Sequence, residues 1–364
     1  MRPISQDGPP SGSGPPLEHE QVRVRRGPRS GVPVVVAVHS TVLGQAIGGC
    51  RLTGYRHWTE ALDDALRLSA AMTDKCAVAG LPNGGGKTVV ALPTGYVPGP
   101  AARRAILHDV ADTIAELAGA YATGPDIGTG PRDMTIIAER TPYAFCRPPA
   151  DGGSGDSSVH TATGVVAALR ALCAAAFGSP EPAGRRLAVL GLGRVGGHLA
   201  RQLAAAGADL VVTDVDPGRR ALADELGATW REPEDALGCE VDVLVPAALG
   251  GILNPDTVPR LRCAAVAGPA NNQLDAPATA DLLHRRGILW APDFVVSAGG
   301  IIHATAVELH HETTERAVAR VRGIGDTLAR ILADAARTGD TPAAAAHRLA
   351  RQRLDGRRLD LARP

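Results

Sequence analysis

A short apolar run, Arg186-Leu187-Ala188-Val189-Leu190, ends directly in Gly191-Leu192-Gly193-Arg194-Val195-Gly196. This junction constrains the fold more than any other segment. Read as a strand that turns into a helix over 195–206, it uses its glycines in three ways. The first permits a tight turn, the second a close backbone approach to a ligand, and the third close packing of helix on strand. The helix then points its free N–H groups at an anion. The next apolar run ends in Asp214, 18 residues beyond Gly196, where a carboxylate can bond both hydroxyls of a ribose. Gly191, Leu192, Gly193, Arg194, Val195, Gly196 and Asp214 therefore predict a dinucleotide site. An acid at that position repels a 2′-phosphate, which favours NAD over NADP, although Arg219 and Arg220 follow closely. Strands read at 187–190, 210–213, 241–245 and 264–267, with helices between, predict a parallel sheet covered on both faces.

Composition singles out a second segment. Of 38 basic residues only Lys75 and Lys87 are lysines, and the other 36 are arginines. Surface positions accept that exchange, but a position needing an amine that can lose its proton does not. Both lysines fall in MTDKCAVAGLPNGGGKT. Gly86-Lys87-Thr88 invites a phosphate-loop reading, but the motif needs a glycine where Leu81 stands. A nucleotidase is thus a minor alternative. Two ammonium groups in one dry cleft disfavour each other's charge, and burial lowers both proton affinities further. One can then bind a carboxylate while the other exchanges a proton near neutral pH. Asp126, in the turn Gly124-Pro125-Asp126, is a candidate partner, and equally an ordinary turn aspartate bonded to local N–H groups.

The remaining bounds are negative. The chain has 364 residues, 38 acidic against 38 basic, and 3% aromatics. Neither a basic field nor a stacking platform for nucleic acid is expected, nor a membrane span, nor a signal peptide. Six scattered cysteines, Cys50, Cys76, Cys146, Cys173, Cys239 and Cys263, suit a reducing cytoplasm and neither a metal module nor a disulfide framework. Residues 1–30 read as a disordered tail and 31–150 as a first domain with a strand at 34–38. A helix follows over 59–73 capped by Thr59, with Lys75 just past its end. Gly84–Lys87 reads as a loop, and a further helix spans 100–119. Residues 147–158 read as a linker, 151–300 as the nucleotide domain, and 301–364 as C-terminal helices.

These motifs resemble the Glu/Leu/Phe/Val amino-acid dehydrogenases, most closely the leucine, valine and phenylalanine branch. The resemblance runs from about residue 32 to 350. It rests on Ile47-Gly48-Gly49-Cys50-Arg51, DALRLSAAMTDKCAVAGLPNGGGKT, YATGPDIGT, TATGV, GLGRVGG, PAALGG, GPANNQL and APDFVVSAGGIIH. It implies an α/β fold of two domains around a cleft, one for substrate and one Rossmann-like for NAD. The C-terminal helices return to the first. It implies reversible oxidative deamination of an L-amino acid to a 2-oxo acid and ammonia, in a homo-oligomer. Lys75 then matches the lysine that holds the α-carboxylate, Lys87 the catalytic lysine, and Asp126 the acid that exchanges protons with the amino group. Asn272 matches an amide near nicotinamide and substrate, Thr161 a residue near the nicotinamide, and Val295–Gly300 a loop lining the cleft. Gly48 falls within the substrate-binding motif.

Glutamate enzymes of this family place a lysine where Ile47 stands. An unpaired carboxylate buried there would be costly, so an apolar side chain is expected against Ile47, Gly124, Ile301 and Ala304. Gly124 and Ala304 are expected to leave room. One departure is Ser297, where the family carries asparagine; a shorter side chain reaches less far. It motivates the alternative of a non-catalytic NAD-binding regulator of the same fold. His303 in the cleft loop is a weaker candidate contact, and His310-His311 read as solvated surface.

Overall fold

The computed structural model describes residues 18–361. The first half contains β1 (Gln21–Arg26), β2 (Pro33–Ser40), β3 (Ala46–Tyr55), α1 (Trp58–Ala79), β4 (Gly84–Pro93), α2 (Pro100–Ala115), β5 (Tyr121–Pro125) and α3 (Pro131–Ala138). Its strands form one mixed sheet in the order β1-β2-β4-β3-β5. β2 runs antiparallel to both β1 and β4, whereas β3 pairs in parallel with both β4 and β5. α1 covers one face, burying Ala61 and Ala65 on Val35, Ala37, Val89 and Ala91. The other face meets α2 and α3 through Ile106, Leu107, Val110, Ile114, Met134 and Ile137.

Three local expectations are corrected here. Part of the tail read over 1–30 lies outside the described residues, but Gln21–Arg26 is an edge strand in register with Arg26 opposite Pro33. Its alternation of Val and Arg suits a strand with one solvated face. Asp109, fully buried, holds the turn that follows by accepting from Arg29, from Ser30 N at 2.9 Å and from Ser30 Oγ at 2.7 Å. Second, Gly84–Lys87 is strand, not loop. Glycine disfavours strands by propensity, but crowding decides here: a Cβ on Gly85 would lie 2.1 Å from Thr73 N, and one on Gly86 2.5 Å from Tyr121 Cδ2. Third, α1 begins at Trp58 with His57, not Thr59, as its cap, and it runs on to Ala79. Lys75 is therefore inside the helix, one turn before Gly80 closes it at φ 67°.

The second half follows a connection over 139–157. It contains α4 (Ser158–Phe177), β6 (Arg186–Leu190), α5 (Arg194–Ala205), β7 (Asp209–Thr213), α6 (Arg220–Glu225), β8 (Thr229–Trp230), α7 (Pro233–Ala236), β9 (Val243–Pro246), β10 (Ala265–Val266), α8 (Thr279–Arg285) and β11 (Leu289–Trp290). The six strands lie parallel in the order β11-β10-β9-β6-β7-β8. The order reverses between β6 and β9, and ligands of doubly wound sheets bind beyond the strand ends at such a point. Of the three two-residue strands, β10 falls within the run at 264–267, whereas β8 and β11 were not legible as apolar runs. α9 (Asp293–Val296), α10 (Gly299–Ala304), a π-turn over Thr305–Leu309, α11 (Thr314–Arg322), α12 (Ile324–Thr338) and α13 (Pro342–Leu361) complete the chain. α13 packs along α1 and α12 along α4, so the C-terminal helices touch both halves. Among the described residues α4 alone is long and apolar enough to cross a membrane, although no run had been read as long enough. Its buried face packs on α5, α10 and α12.

Candidate active site

Parallel pairing of β3 with β4 and β5 brings the middle of β3, the first half of β4 and the end of β5 side by side. Cys50 lies opposite Thr88 on one side and Pro125 on the other. Lys87 on β4 and Asp126 at the end of β5 thereby flank Gly49 of β3. Lys87 Nζ donates to Asp126 Oδ2 at 2.6 Å. A Cβ on Gly49 would stand 2.7 Å from Asp126 Cβ and 3.2 Å from Lys87 Nζ, so only glycine leaves the pair its room. Asp126 shows both features weighed for it: its carboxylate is turned to Lys87 and also takes a backbone hydrogen bond from the adjacent Ile127, while its own N–H is held by Thr129 Oγ1.

Sequence reading missed Arg51. Two residues beyond Gly49, it lies on the same face of β3. Its Nε donates to Asp126 Oδ2 at 3.0 Å and its Nη1 to Asp64 Oδ2 at 2.8 Å. Tyr55 and Arg67 donate to Asp64 in turn. Burial would raise the Asp126 proton affinity, but Lys87 and Arg51 outweigh it and hold the carboxyl below its ordinary value. Burial lowers Lys87 below the ordinary lysine value, opposed but not cancelled by Asp126. The arrangement is an ionised carboxylate beside an amine that gives up its proton more readily than a solvated lysine.

Lys75 reaches across to the second half. Its Nζ donates to Ser297 Oγ at 2.9 Å and to Asn271 Oδ1 at 3.4 Å, and Ser297 Oγ donates to Asn271 Oδ1 at 3.2 Å. The short side chain of Ser297 thus reaches both Lys75 and Asn271. Burial lowers Lys75, and Lys87 adds to this, whereas Asp293 pulls the other way. Asn271, rather than Asn272, presents its amide here. Asn272 is exposed in a left-handed conformation at φ 52°, and its carbonyl accepts from Gly251 N at 2.7 Å. Asp293 accepts from Gln273 N at 2.8 Å and so braces the same segment.

The apolar wall differs from expectation at one position. A Cβ on Gly124 would lie 2.7 Å from Phe145 Cε2, so the space beside Gly124 is occupied by Phe145 and is not room for a ligand. Ile47 is fully buried, Ala304 1% exposed and Ile301 partly buried. Gly48 lies over the Gly86 carbonyl, which a Cβ would meet at 1.8 Å. Val295–Gly300 is not a loop: it spans the end of α9 and the start of α10. Buried His303 stacks on His160 at 3.4 Å between centroids, and burial lowers its pKa to about 4. His310 is no free surface group, since its ring bonds Asn83 Oδ1 at 3.0 Å.

At the reversal point of the second sheet, Gly191 adopts φ 111° and a Cβ on Gly196 would strike the Gly191 carbonyl at 2.0 Å. Gly193, by contrast, faces open space, as a backbone awaiting a close ligand must. Leu192 is buried; its N–H donates to Asp214 Oδ2 at 2.6 Å. Arg194 is exposed and 3.6 Å from Asp156, and Val195 is partly buried on α5. Thr161, on the first turn of α4, donates to Ser157 O at 3.0 Å and lies against Gly300. The cradle of glycines, helix N-terminus and carboxylate fits a dinucleotide.

Comparison with known proteins gives a consistent answer. Residues 19–143 match the family model described as Glu/Leu/Phe/Val dehydrogenase, dimerisation domain. Residues 218–353 match that described as Glutamate/Leucine/Phenylalanine/Valine dehydrogenase. A leucine dehydrogenase of Geobacillus stearothermophilus is 40% identical over 339 residues, spanning 93% of this chain and 91% of that one. A valine dehydrogenase of Streptomyces coelicolor is 41% identical over 345 residues, spanning 92% of each chain. The structure of an L-tryptophan dehydrogenase from Nostoc punctiforme matches with a TM-score of 0.81 at 34% identity, covering 94% of this chain and 97% of that one.

Proposed function

This chain belongs to the Glu/Leu/Phe/Val dehydrogenase family, and from that premise we propose that it catalyses the NAD-dependent, reversible oxidative deamination of an apolar L-amino acid. The observation that carries the reading is the buried contact of Lys87 Nζ with Asp126 Oδ2 at 2.6 Å, in a cleft that Lys75 enters from α1. Gly191, Gly193, Gly196 and the N-terminus of α5 would hold the pyrophosphate, Asp214 the ribose, and Thr161 and Asn272 the nicotinamide end. Asp214 also favours NAD over its 2′-phosphate analogue. When bound, the nicotinamide serves as acceptor of the hydride from the substrate Cα.

The chain's own groups do the rest. The Lys75 ammonium pairs with the α-carboxylate, and the two domains fix Cα in position. Asp126 takes an amino proton only transiently, because Lys87 and Arg51 hold its proton affinity low. Unprotonated Lys87 takes a proton from the water that adds to the imine, and its charge then steadies the carbinolamine until ammonia leaves. With Ile47 in place of a cation, no group on the apolar wall can pair a side-chain carboxylate, which disfavours glutamate. Phe145 narrows the wall, and discrimination between aliphatic side chains there is worth about 1–3 kcal/mol, so a range of apolar substrates is expected.

Six unpaired thiols accord with action in the cytoplasm, and a homo-oligomer accords with the dimerisation domain of the family description. The test is cofactor reduction with Val, Leu, Phe and Glu, using NAD and NADP. Turnover of apolar substrates with NAD, little with glutamate, and loss on Lys87→Ala are expected. NAD binding with no turnover of any amino acid would establish the regulator reading instead.

A further inference from the structure

Asp126 Oδ2 takes two cations at once, Lys87 Nζ at 2.6 Å and Arg51 Nε at 3.0 Å. Two full positive charges at one oxygen make a carboxylate a poor proton acceptor. Arg51, however, is divided. Its Nη1 turns away to Asp64 Oδ2 at 2.8 Å, a shorter contact than the one it gives Asp126. The two side chains are 13% and 16% exposed, so salt screens the pair only weakly. Asp64 is itself fixed in place. Tyr55 Oη from β3 donates to the same Oδ2 at 2.8 Å, and Arg67 from α1 donates to Oδ1 at 2.7 Å. Charges alternate along this row, from Lys87 through Asp126, Arg51 and Asp64 to Arg67, whose side chain is 58% exposed. Burial keeps the adjacent Tyr55, Tyr121 and Cys50 neutral, and Lys75 acts on Lys87 and Asp126 through space from α1.

We propose that Asp64 is a positioning residue for the reaction: by holding one arm of Arg51 it draws that charge off Asp126 and leaves the carboxylate able to accept a proton from the substrate's amino group. The assignment to a reaction rests on the function proposed above; the electrostatic role of Asp64 does not. The row is no proton wire, because a guanidinium stays charged, so Asp64 acts by charge alone. With Lys87 protonated, two cations, Lys87 and Arg51, face two carboxylates, Asp126 and Asp64, and the cluster is neutral. Without the Asp64 charge the same cluster holds one positive charge in excess, which lowers the proton affinity of Asp126 and of Lys87 together. Arg67, one helical turn beyond Asp64, carries the row to solvent. A substitution on the outer face of α1 therefore reaches the Lys87–Asp126 pair.

The test follows the Lys87 resonance by NMR in full-length protein labelled with ¹³C at lysine Cε, without substrate or turnover. Asp64→Asn keeps the size of the side chain and an oxygen for its donors. It is expected to lower the Lys87 titration by about 0.5–1 unit, a fraction of the 1–3 units that a charge at 4–6 Å gives. In an Arg51→Met background the same substitution should lose most of that shift, because Asp64 then has no arm to hold. Arg67→Met removes the surface cation that competes for Asp64, and should move Lys87 the other way by about 0.1–0.5 unit. Thermal unfolding shows which variants are folded, and the exposed Arg67→Met decides the question should Asp64→Asn not fold. A Lys87 titration unmoved or raised in Asp64→Asn overturns the proposal; the raised case means that Asp64 only presses Arg51 onto Asp126. An undiminished shift in the Arg51→Met background overturns the route through Arg51. A titration unmoved or lowered in Arg67→Met overturns the proposal as well. Amino-acid oxidation is measured separately: the limb on which kcat/KM rises with pH should follow Lys87 downward in Asp64→Asn. Absence of oxidation by the unmodified chain, with the expected NMR shifts, rejects the proposed reaction and leaves the electrostatic role of Asp64 standing.

Discussion

The two lysines of this chain lie within electrostatic reach of one another on different supports and meet different chemistry. Lys87 stands on a central strand, is 6% exposed, and touches a carboxylate at 2.6 Å. Lys75 stands on a helix, keeps part of its surface open, and touches only neutral oxygens of Ser297 and Asn271. Burial lowers both. An amine already neutralised by a neighbour has no charge to offer an incoming anion, whereas one held by hydroxyl and amide oxygens still does. In the proposed reaction, pairing more than burial would divide the labour, with Lys75 to bind and Lys87 to exchange protons.

The sharpest way to break this division is to remove each amine in turn. Lys87→Met should lower kcat by about 10²–10⁴-fold, the usual worth of a positioned acid–base group, with a far smaller change in KM. Lys75→Met should instead act on substrate binding. Loss of a charge-assisted hydrogen bond worth about 1.5–3 kcal/mol predicts a fall of about 10–100-fold in kcat/KM, carried chiefly by KM. Equal effects of both variants on kcat and KM would abolish the distinction. Steady-state oxidation of the best apolar amino acid measures both.

Arg51→Met sharpens the comparison through pH. Arg51 lowers the proton affinity of Asp126 and also that of Lys87. Its removal should raise both, so the limb on which activity rises with pH should move to higher pH in kcat/KM. Arg51→Lys should restore part of the shift. Ser297→Ala is the mildest probe. It removes one neutral partner of Lys75, worth about 0.5–1.5 kcal/mol, and should raise KM a few-fold while leaving the pH profile unmoved.

The first sheet offers a control on stability instead of chemistry. Burial opposes the Asp109 charge, but its bonds to Ser30 and Arg29 hold its carboxyl below the ordinary value. A carboxyl lowered in the folded state adds stability above its unfolded pKa, and that stability is lost as pH falls through the folded value. Asp109→Ala should cost about 1–3 kcal/mol at neutral pH by denaturant unfolding, and the difference should shrink in acid.

What could be read before the structure follows the same physical divide. Lys75 and Lys87 were legible because an arginine-rich chain makes two lysines conspicuous, Asp126 was a turn residue that only the family resemblance singled out, and the glycine turn at 191–196 was legible because strand, turn and helix leave a local pattern. Arg51 was not legible: it is one of 36 arginines, and only the parallel register of β3 with β5 places it beside Asp126. Gly84–Lys87 read as loop because propensity is local, whereas the crowding by Thr73 and Tyr121 that demands glycine comes from α1 and β5. The same holds for Phe145, which fills the space beside Gly124 from a segment 21 residues on. Asn271 and Asn272 are adjacent in sequence, and only the left-handed backbone at Asn272 shows which amide turns to Lys75.

A chain with only two lysines permits a direct test of the central claim. Labelling lysine with ¹³C at Cε gives two resonances, assigned by Lys87→Met and Lys75→Met, and each can be titrated by NMR. The Lys87 signal should titrate below the ordinary lysine range and move upward in Arg51→Met. A Lys87 signal that titrates at or above the value of a solvated lysine would contradict the account, because the amine would then stay charged while the water adds.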